Sequence, residues 1–400
     1  MAHKRHPLAV AAGAAVVTAV AASLLIRPRG GLIDPAAVDA TAYFSHSQLD
    51  RAESFRGTQR LLGLAGLALS GATLALIALK LPRERLRGRR PVLGAAGAGV
   101  GLSLLLVVVN LPLDAVRHDR AVDVGLSTQD WGPWLGDVAR AAGIGAAFAA
   151  GLAALAVSLW RRMGPRWWIP ASASVVAVSA AFIYLSPLVI EPVFNDFDPL
   201  PEGPLRSEVL EQAERAGVDV GEVYRVDASR RTTGANAYVG GLGHTKRVVL
   251  YDNLLEDFTP AEVRSVVAHE LAHVKYDDVP KGLLFLALIA PPGMLLVQRL
   301  TERLAPGATG AELVPALALS LGVVLFAGQI AGNYVSRVVE ARADAYALEA
   351  TDDAQAFISL ERRLALQNVS DPDPPRVTQL LFGTHPTTLE RIGFGEAYGR

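Results

Sequence analysis

The residues best suited to chemistry form one pentapeptide, His269-Glu270-Leu271-Ala272-His273, which matches HExxH. On an α-helix, positions four apart differ by about 40° around the axis, because each residue turns through about 100°. Both imidazoles therefore leave one face and can grip a single ion, with Glu270 beside it. A zinc ion held by two histidines, with a position left for water and a carboxylate alongside, is the apparatus of metal-assisted peptide hydrolysis. The same five letters also occur on ordinary exposed helices, so the surroundings must decide.

Two histidines do not complete a catalytic zinc site, which typically has three protein ligands and one open position. The extended motif HExxHxxGxxH would put a third histidine where this chain has Val279, so the third ligand must come from elsewhere. With no cysteine in the chain, thiolate sites, disulfides and a cysteine nucleophile are excluded, leaving His and carboxylates. A supplier is the segment Ser336-Arg337-Val338-Val339-Glu340-Ala341-Arg342-Ala343-Asp344. Glu340 and Asp344 lie i, i+4, so one carboxylate can bind metal while the other receives the outer N–H of a ligating imidazole. Spacing alone fits an exposed acidic face equally well.

The elements that must position these groups can be read locally. Thr259-Pro260-Ala261-Glu262 has capping-box spacing with Pro at the first helical position, so the HExxH helix should start there. Val263, Val266, Val267, Leu271 and Val274 supply its apolar surface, and Pro280 is expected to end or bend it. Upstream, Pro204–Ala216 reads as a helix stopped by Gly217, followed by β-prone runs at Glu222–Val226, 236–242 and Arg247–Tyr251. Gly240, Gly241 and Gly243 mark a turn, with His244 at its tip rather than in a site. His3, His6, His46 and His118 have no partner spacing and receive no role.

The rest of the chain is built for a bilayer. Of its 400 residues 51% are hydrophobic, mean hydropathy is +0.30, and only 19% are charged, against about a quarter in soluble domains. The net charge of -1 and scattered basic residues give no nucleic-acid footprint. Apolar runs at 8–26, 61–81, 91–113, 141–160, 167–190, 282–299 and 311–335 predict seven spans. The first is too long for a signal-peptide core and lacks a cleavage site, so it is read as retained. Pro291 and Pro292 interrupt the sixth. The helical pattern of the seventh continues through 337–349, so a membrane helix can deliver Glu340 to the site. The chain divides into a membrane part at 1–190, a catalytic segment at 191–281, two spans at 282–338 and a C-terminal catalytic segment at 339–400.

Taken together, these features resemble peptidase family M48, and most closely its type 1 CAAX prenyl protease branch. The carriers are Glu191-Pro192-Val193-Phe194-Asn195, Asp227 with Ser229 and Arg231-Thr232, Asn236-Ala237-Tyr238, the run from Lys246 to Asp252, HExxH, Glu340 with Asp344, and His385-Pro386 with Glu390-Arg391-Ile392. The resemblance implies a predominantly α-helical integral membrane protein whose seven helices enclose a chamber, with a small α+β, gluzincin-like zinc metalloprotease domain. It implies one Zn²⁺ per chain bound by His269, His273 and Glu340, Glu270 activating water, and Asp344 orienting His269. It further implies that Asn236 and His385 polarise the scissile carbonyl or stabilise the oxyanion, and that the strand through Asn236, Ala237 and Tyr238 aligns the substrate backbone. Asp277-Asp278 departs from the branch, which tends to have His shortly after the motif.

The function expected is an integral-membrane zinc endopeptidase acting on peptide or protein substrates, lipidated or C-terminal, near the bilayer. One alternative is a quality-control protease for unfolded polypeptides; another is a non-catalytic zinc-binding membrane scaffold or lipid-peptide carrier. A monomer is compatible with the sequence, which does not set the oligomeric state. Basic loops after spans two, four and six favour an outer-face catalytic segment in the cell membrane, whereas the resemblance favours the cytoplasmic face.

Overall fold

Inside a bilayer no water is available to backbone N–H and C=O groups, so each apolar run must satisfy its own as a helix. The computed structural model describes residues 6–400; Lys4, Arg5, His3 and the His6 side chain lie outside the described residues. Among the described residues seven helices are long and apolar enough to cross a membrane: Pro7–Ile26, His46–Lys80, Pro91–Asp123, Trp131–Arg166, Trp168–Phe194, Asp278–Leu304 and Ala311–Thr351. Several outrun the apolar segments that announce them. The second, at 35 residues, is about 52 Å long at about 1.5 Å per residue, against a hydrocarbon core of about 30 Å. Its polar first turns therefore stand clear of the bilayer beside the catalytic segment.

Spans two to seven close into a ring: two packs on three, three on four, four on five, five on six, six on seven, and seven on two, with span one outside against six and seven. Small residues permit the close approaches. At Gly99 of span three an added Cβ would stand 2.5 Å from the Ala149 carbonyl oxygen of span four, so only glycine fits. Between these spans lies a partly open apolar cavity of about 510 Å³, with Leu74, Leu106, Val175 and Leu321 among its walls. The loop after span six closes one end, where Arg83 donates to the Leu304 carbonyl and Arg161 to that of Thr309.

The catalytic segment adds a four-stranded sheet in the order β1-β2-β4-β3. Its strands are β1 (Phe197–Pro199), β2 (Glu222–Val226), β3 (Ala237–Gly240) and β4 (Arg247–Tyr251). β2 and β4 run parallel with Val223 opposite Val248, while β3 and β1 flank them antiparallel. β1 is not foreseen from sequence, since three residues ending in proline carry no alternation. The middle run is shorter than 236–242, because Gly241 turns into the left-handed region (φ 90) where a side chain would collide with the Thr245 carbonyl. Val223, Val248, Leu250, Leu254, Val263, Val267 and Leu271 form the core between sheet and HExxH helix.

Both helices expected around the sheet are present. Pro204–Ala216 ends on Gly217 in the left-handed conformation (φ 69). The HExxH helix, Pro260–Lys275, begins with the expected reciprocal cap: Thr259 accepts from the Glu262 N–H, and Glu262 accepts from the Thr259 N–H at 2.8 Å. Its end differs from expectation. The helix stops at Tyr276 and the chain reverses at Asp277 (φ 53), so that Pro280 falls in the first turn of span six, where a missing N–H costs nothing. Span six runs on through Pro291 and Pro292, and the last span is one helix, Val314–Thr351.

Candidate metal and peptidase site

His269 and His273 project from the HExxH helix toward Glu340 of the seventh span. Nε2 of His269 lies 3.2 Å from Oε2 of Glu340, the two Nε2 atoms are 3.3 Å apart, and His273 Nε2 is 3.7 Å from the same oxygen. Ligand bonds of about 2.0–2.1 Å in a tetrahedron give ligand–ligand edges of about 3.3–3.4 Å, so this triangle fits a zinc ion with one further position open. Among the described residues these three side chains are the group of metal-ligating type brought together this way.

The outer ring nitrogens are both engaged. Nδ1 of His269 is 2.8 Å from Oδ1 of Asp344, which is 0% exposed. Asp344 accepts two further bonds from Arg391, Nε to Oδ2 at 2.9 Å and Nη2 to Oδ1 at 2.5 Å. Arg391 in turn reaches Glu361 at 2.8 Å. On the other side, Nδ1 of His273 is 3.1 Å from Oδ2 of Asp278, whose Oδ1 receives Arg342 at 2.5 Å. With both Nδ1 atoms donating to carboxylates, each imidazole turns a bare Nε2 lone pair to the shared position.

Glu270 lies between this triangle and the sheet, within electrostatic reach of His269, His273 and Glu340. Burial raises the pKa of its carboxyl, the two neighbouring histidines oppose that, and the Val239 backbone N–H of β3 bonds to the carboxylate. The same strand begins just after Asn236, whose side chain is exposed and whose carbonyl accepts the Tyr251 N–H at 3.1 Å. Ala237 is buried opposite Leu250. Tyr238 donates to Glu191 at 2.6 Å, and Arg247 reaches the same oxygen at 2.8 Å. Burial and this bond push the Tyr238 phenol above its ordinary range. β3 is terminal in the sheet, so its outer edge has no strand partner there.

His385 arrives from the C-terminal segment, with Nε2 3.3 Å from Oε2 of Glu340, and its side chain remains 56% exposed. Its approach is fixed by Arg337, which donates to the carbonyls of Gln379 at 3.0 Å and Gly383 at 2.6 Å. His244 sits exposed in the turn Gly243–Thr245, and His118 is buried, stacked 4.8 Å from Trp134; neither joins the site. Sequence reasoning gave no role to Asp278, Arg342, Glu361 or Arg391. Two carried a signal: Arg391 in Glu390-Arg391-Ile392, and Asp278 in the pair that departs from the resembled branch.

Comparison with known proteins agrees with this geometry. A family model described as CAAX prenyl protease N-terminal, five membrane helices, matches residues 96–196, and the model of Peptidase family M48 matches 199–395. The chain is 29% identical to an uncharacterized metalloprotease, YhfN, of Bacillus subtilis, covering 90% of this chain and 88% of that one. It is 26% identical to CAAX prenyl protease 1 of Saccharomyces cerevisiae, over 73% of this chain and 69% of the yeast protein. The crystal structure of S. mikatae Ste24p has the same fold, with a TM-score of 0.77 over 98% of this chain and 99% of that one at 18% identity.

Proposed function

Because the chain belongs to peptidase family M48 and is a multi-pass membrane metalloendopeptidase, we propose that its metal is zinc, one per chain, held by His269, His273 and Glu340. The observation that carries this reading is the triangle of two Nε2 atoms and one carboxylate oxygen, with edges of 3.2, 3.3 and 3.7 Å. Zinc bound there would supply Lewis acidity, lowering the pKa of a water toward about 7 and polarising the scissile carbonyl. Glu270 would serve as the base that takes a proton from the attacking water and returns it to the departing amine. Its carboxylate lies beside the Val239 N–H of the strand on which we place the substrate. An extended peptide adds to the free edge of β3 along Asn236, Ala237 and Tyr238, with the strand pinned by Tyr238 and Arg247 to Glu191. Asn236 and His385 face the developing oxyanion from opposite ends of the sequence, and Asp344 holds the His269 ring.

For substrates we favour membrane-proximal peptides processed near their C-terminus, in line with relatives named CAAX prenyl proteases. Purified enzyme incubated with prenylated and unprenylated CAAX-type peptides should cleave the prenylated ones preferentially, with products identified by mass. Asn236→Ala and His385→Ala should each lower kcat by about 10²–10³-fold. Equal cleavage of both peptides would remove lipid recognition; unchanged kcat in both variants would remove the oxyanion role. No feature of the geometry specifically favours the quality-control or carrier readings.

We also place the catalytic end on the outer face. The opposite end of the bundle carries Lys80, Arg83, Arg85, Arg87, Arg89, Arg90, Arg161, Arg162 and Arg166. Of the competing basic residues of loop one, Arg51, Arg56 and Arg60 are bound within the catalytic end, Arg51 to the Val124 carbonyl, Arg56 to those of Asn368 and Val369, and Arg60 to Asp371. In right-side-out vesicles the Gly243–Thr245 turn should be cut by added protease; protection there with cleavage in inverted vesicles would reverse the orientation.

A further inference from the structure

The two imidazoles of the metal triangle are clamped by different parts of the chain, and only one clamp belongs to the HExxH and Glu340-Asp344 motifs. We propose that Asp278 is the positioning residue for His273 and that Arg342 fixes Asp278, so that the first residue of span six is coupled to the metal site. This rests on the zinc reading given above.

Were the HExxH helix to continue, Asp278 would lie about 140° around the axis from His273 and face away from it. The left-handed turn at Asp277 (φ 53) prevents that: it stops the helix and starts span six so that the Asp278 carboxylate returns to His273 Nδ1 at 3.1 Å. Aspartate is among the few non-glycine residues that tolerate this conformation. The Asp278 side chain is only 10% exposed, and both its oxygens are committed, one to His273 and one to Arg342. Arg342 is itself confined. Its guanidinium lies 4.0 Å from the centre of the Tyr276 ring, and its stem packs against the backbone turn at Gly31 (φ 68).

Arg342 stands on the seventh span midway between Glu340 and Asp344. One stretch of helix thus presents Glu340 to the metal position, supports His269 directly through Asp344, and supports His273 through Arg342 and Asp278. A carboxylate on Nδ1 fixes the tautomer that leaves Nε2 bare and makes it a better donor, and losing such a partner typically costs about 10–100-fold in metal affinity.

The test is zinc competition with a chromophoric chelator, on full-length protein in detergent, for wild type, Asp278→Ala, Asp278→Asn, the double variant Asp278→Ala/Arg342→Met, and Glu340→Ala. Asp278→Ala should bind zinc about 10–100-fold more weakly and show an altered visible spectrum when loaded with Co²⁺. Asp278→Asn, which keeps an acceptor oxygen, should fall between. Circular dichroism and melting establish that each variant is folded; should the alanine variant not fold, the asparagine variant carries the comparison. The double variant should stay as weak as Asp278→Ala, because His273 still lacks its acceptor. Wild-type affinity in Asp278→Ala, or its return in the double variant, would reduce Asp278 to a counter-ion for Arg342 and overturn the proposal. Glu340→Ala separates the two levels: wild-type affinity there would bring down the zinc reading itself, and the proposal with it, whereas weak binding there with intact binding in the Asp278 variants would reject Asp278 alone.

Discussion

Peptide hydrolysis should fall by about 10²–10⁴-fold on replacing Glu270 with Gln, while the protein keeps one zinc per chain. The side chain sits between the two histidines in sequence and within electrostatic reach of both and of Glu340, with its carboxylate beside the Val239 N–H of the edge strand. Gln has the same shape and still offers an oxygen to that N–H, so neither the helix nor the strand should move. What it cannot do is take a proton. Glu340→Ala should give the converse result, losing zinc because one vertex of the triangle is gone. The two variants therefore separate proton transfer from metal retention. Turnover of the cleaved peptide and zinc by atomic absorption, measured on the same preparations, read both quantities; substantial activity in Glu270→Gln would remove the general-base assignment.

The parts of this arrangement visible in sequence are those specified locally. The Thr259 cap needs only Glu262 three residues on, the stop at Gly217 needs only its own φ of 69, and HExxH needs one helix. The spans were legible as apolar runs but not in full length, since the polar first turns of the helix His46–Lys80 look like loop until the catalytic segment is packed against them. Pro280 misled because a proline ends one helix or sits harmlessly in the first turn of the next, and the choice was made by Asp277, three residues earlier. Supports of the site were the least legible. Arg391 lies 122 positions from His269 and Glu361 joins only through Arg391, so nothing in local spacing announces either. Asp278 is close in sequence to His273, yet helical periodicity points it away.

Arg391 should prove the most destabilising single loss near the site. Asp344 has no exposure and Glu361 almost none, and Arg391 is the cation that meets both, with two bonds to the first and one to the second. Burial raises the Glu361 carboxyl to about 7 even with the Arg391 charge opposing it. With Arg391→Met that opposing charge is gone. Glu361 can then escape by taking a proton, but Asp344 is held to the His269 ring and must remain a buried, under-paired anion. Breaking a buried pair in this way typically costs about 3–5 kcal/mol, read as a fall in melting temperature in detergent. Arg391→Lys keeps the charge, but a single ammonium cannot span both oxygens of Asp344 and still reach Glu361, so it should recover only part of the loss. Zinc retention should follow the same order, wild type above Lys above Met, because a shifted Asp344 releases the ring of His269. An unchanged melting temperature in Arg391→Met would show that the pair is not a support of the fold. Loss of stability with undiminished zinc affinity would break the link argued here, in which the C-terminal helix Thr388–Tyr398 holds the metal site through Asp344.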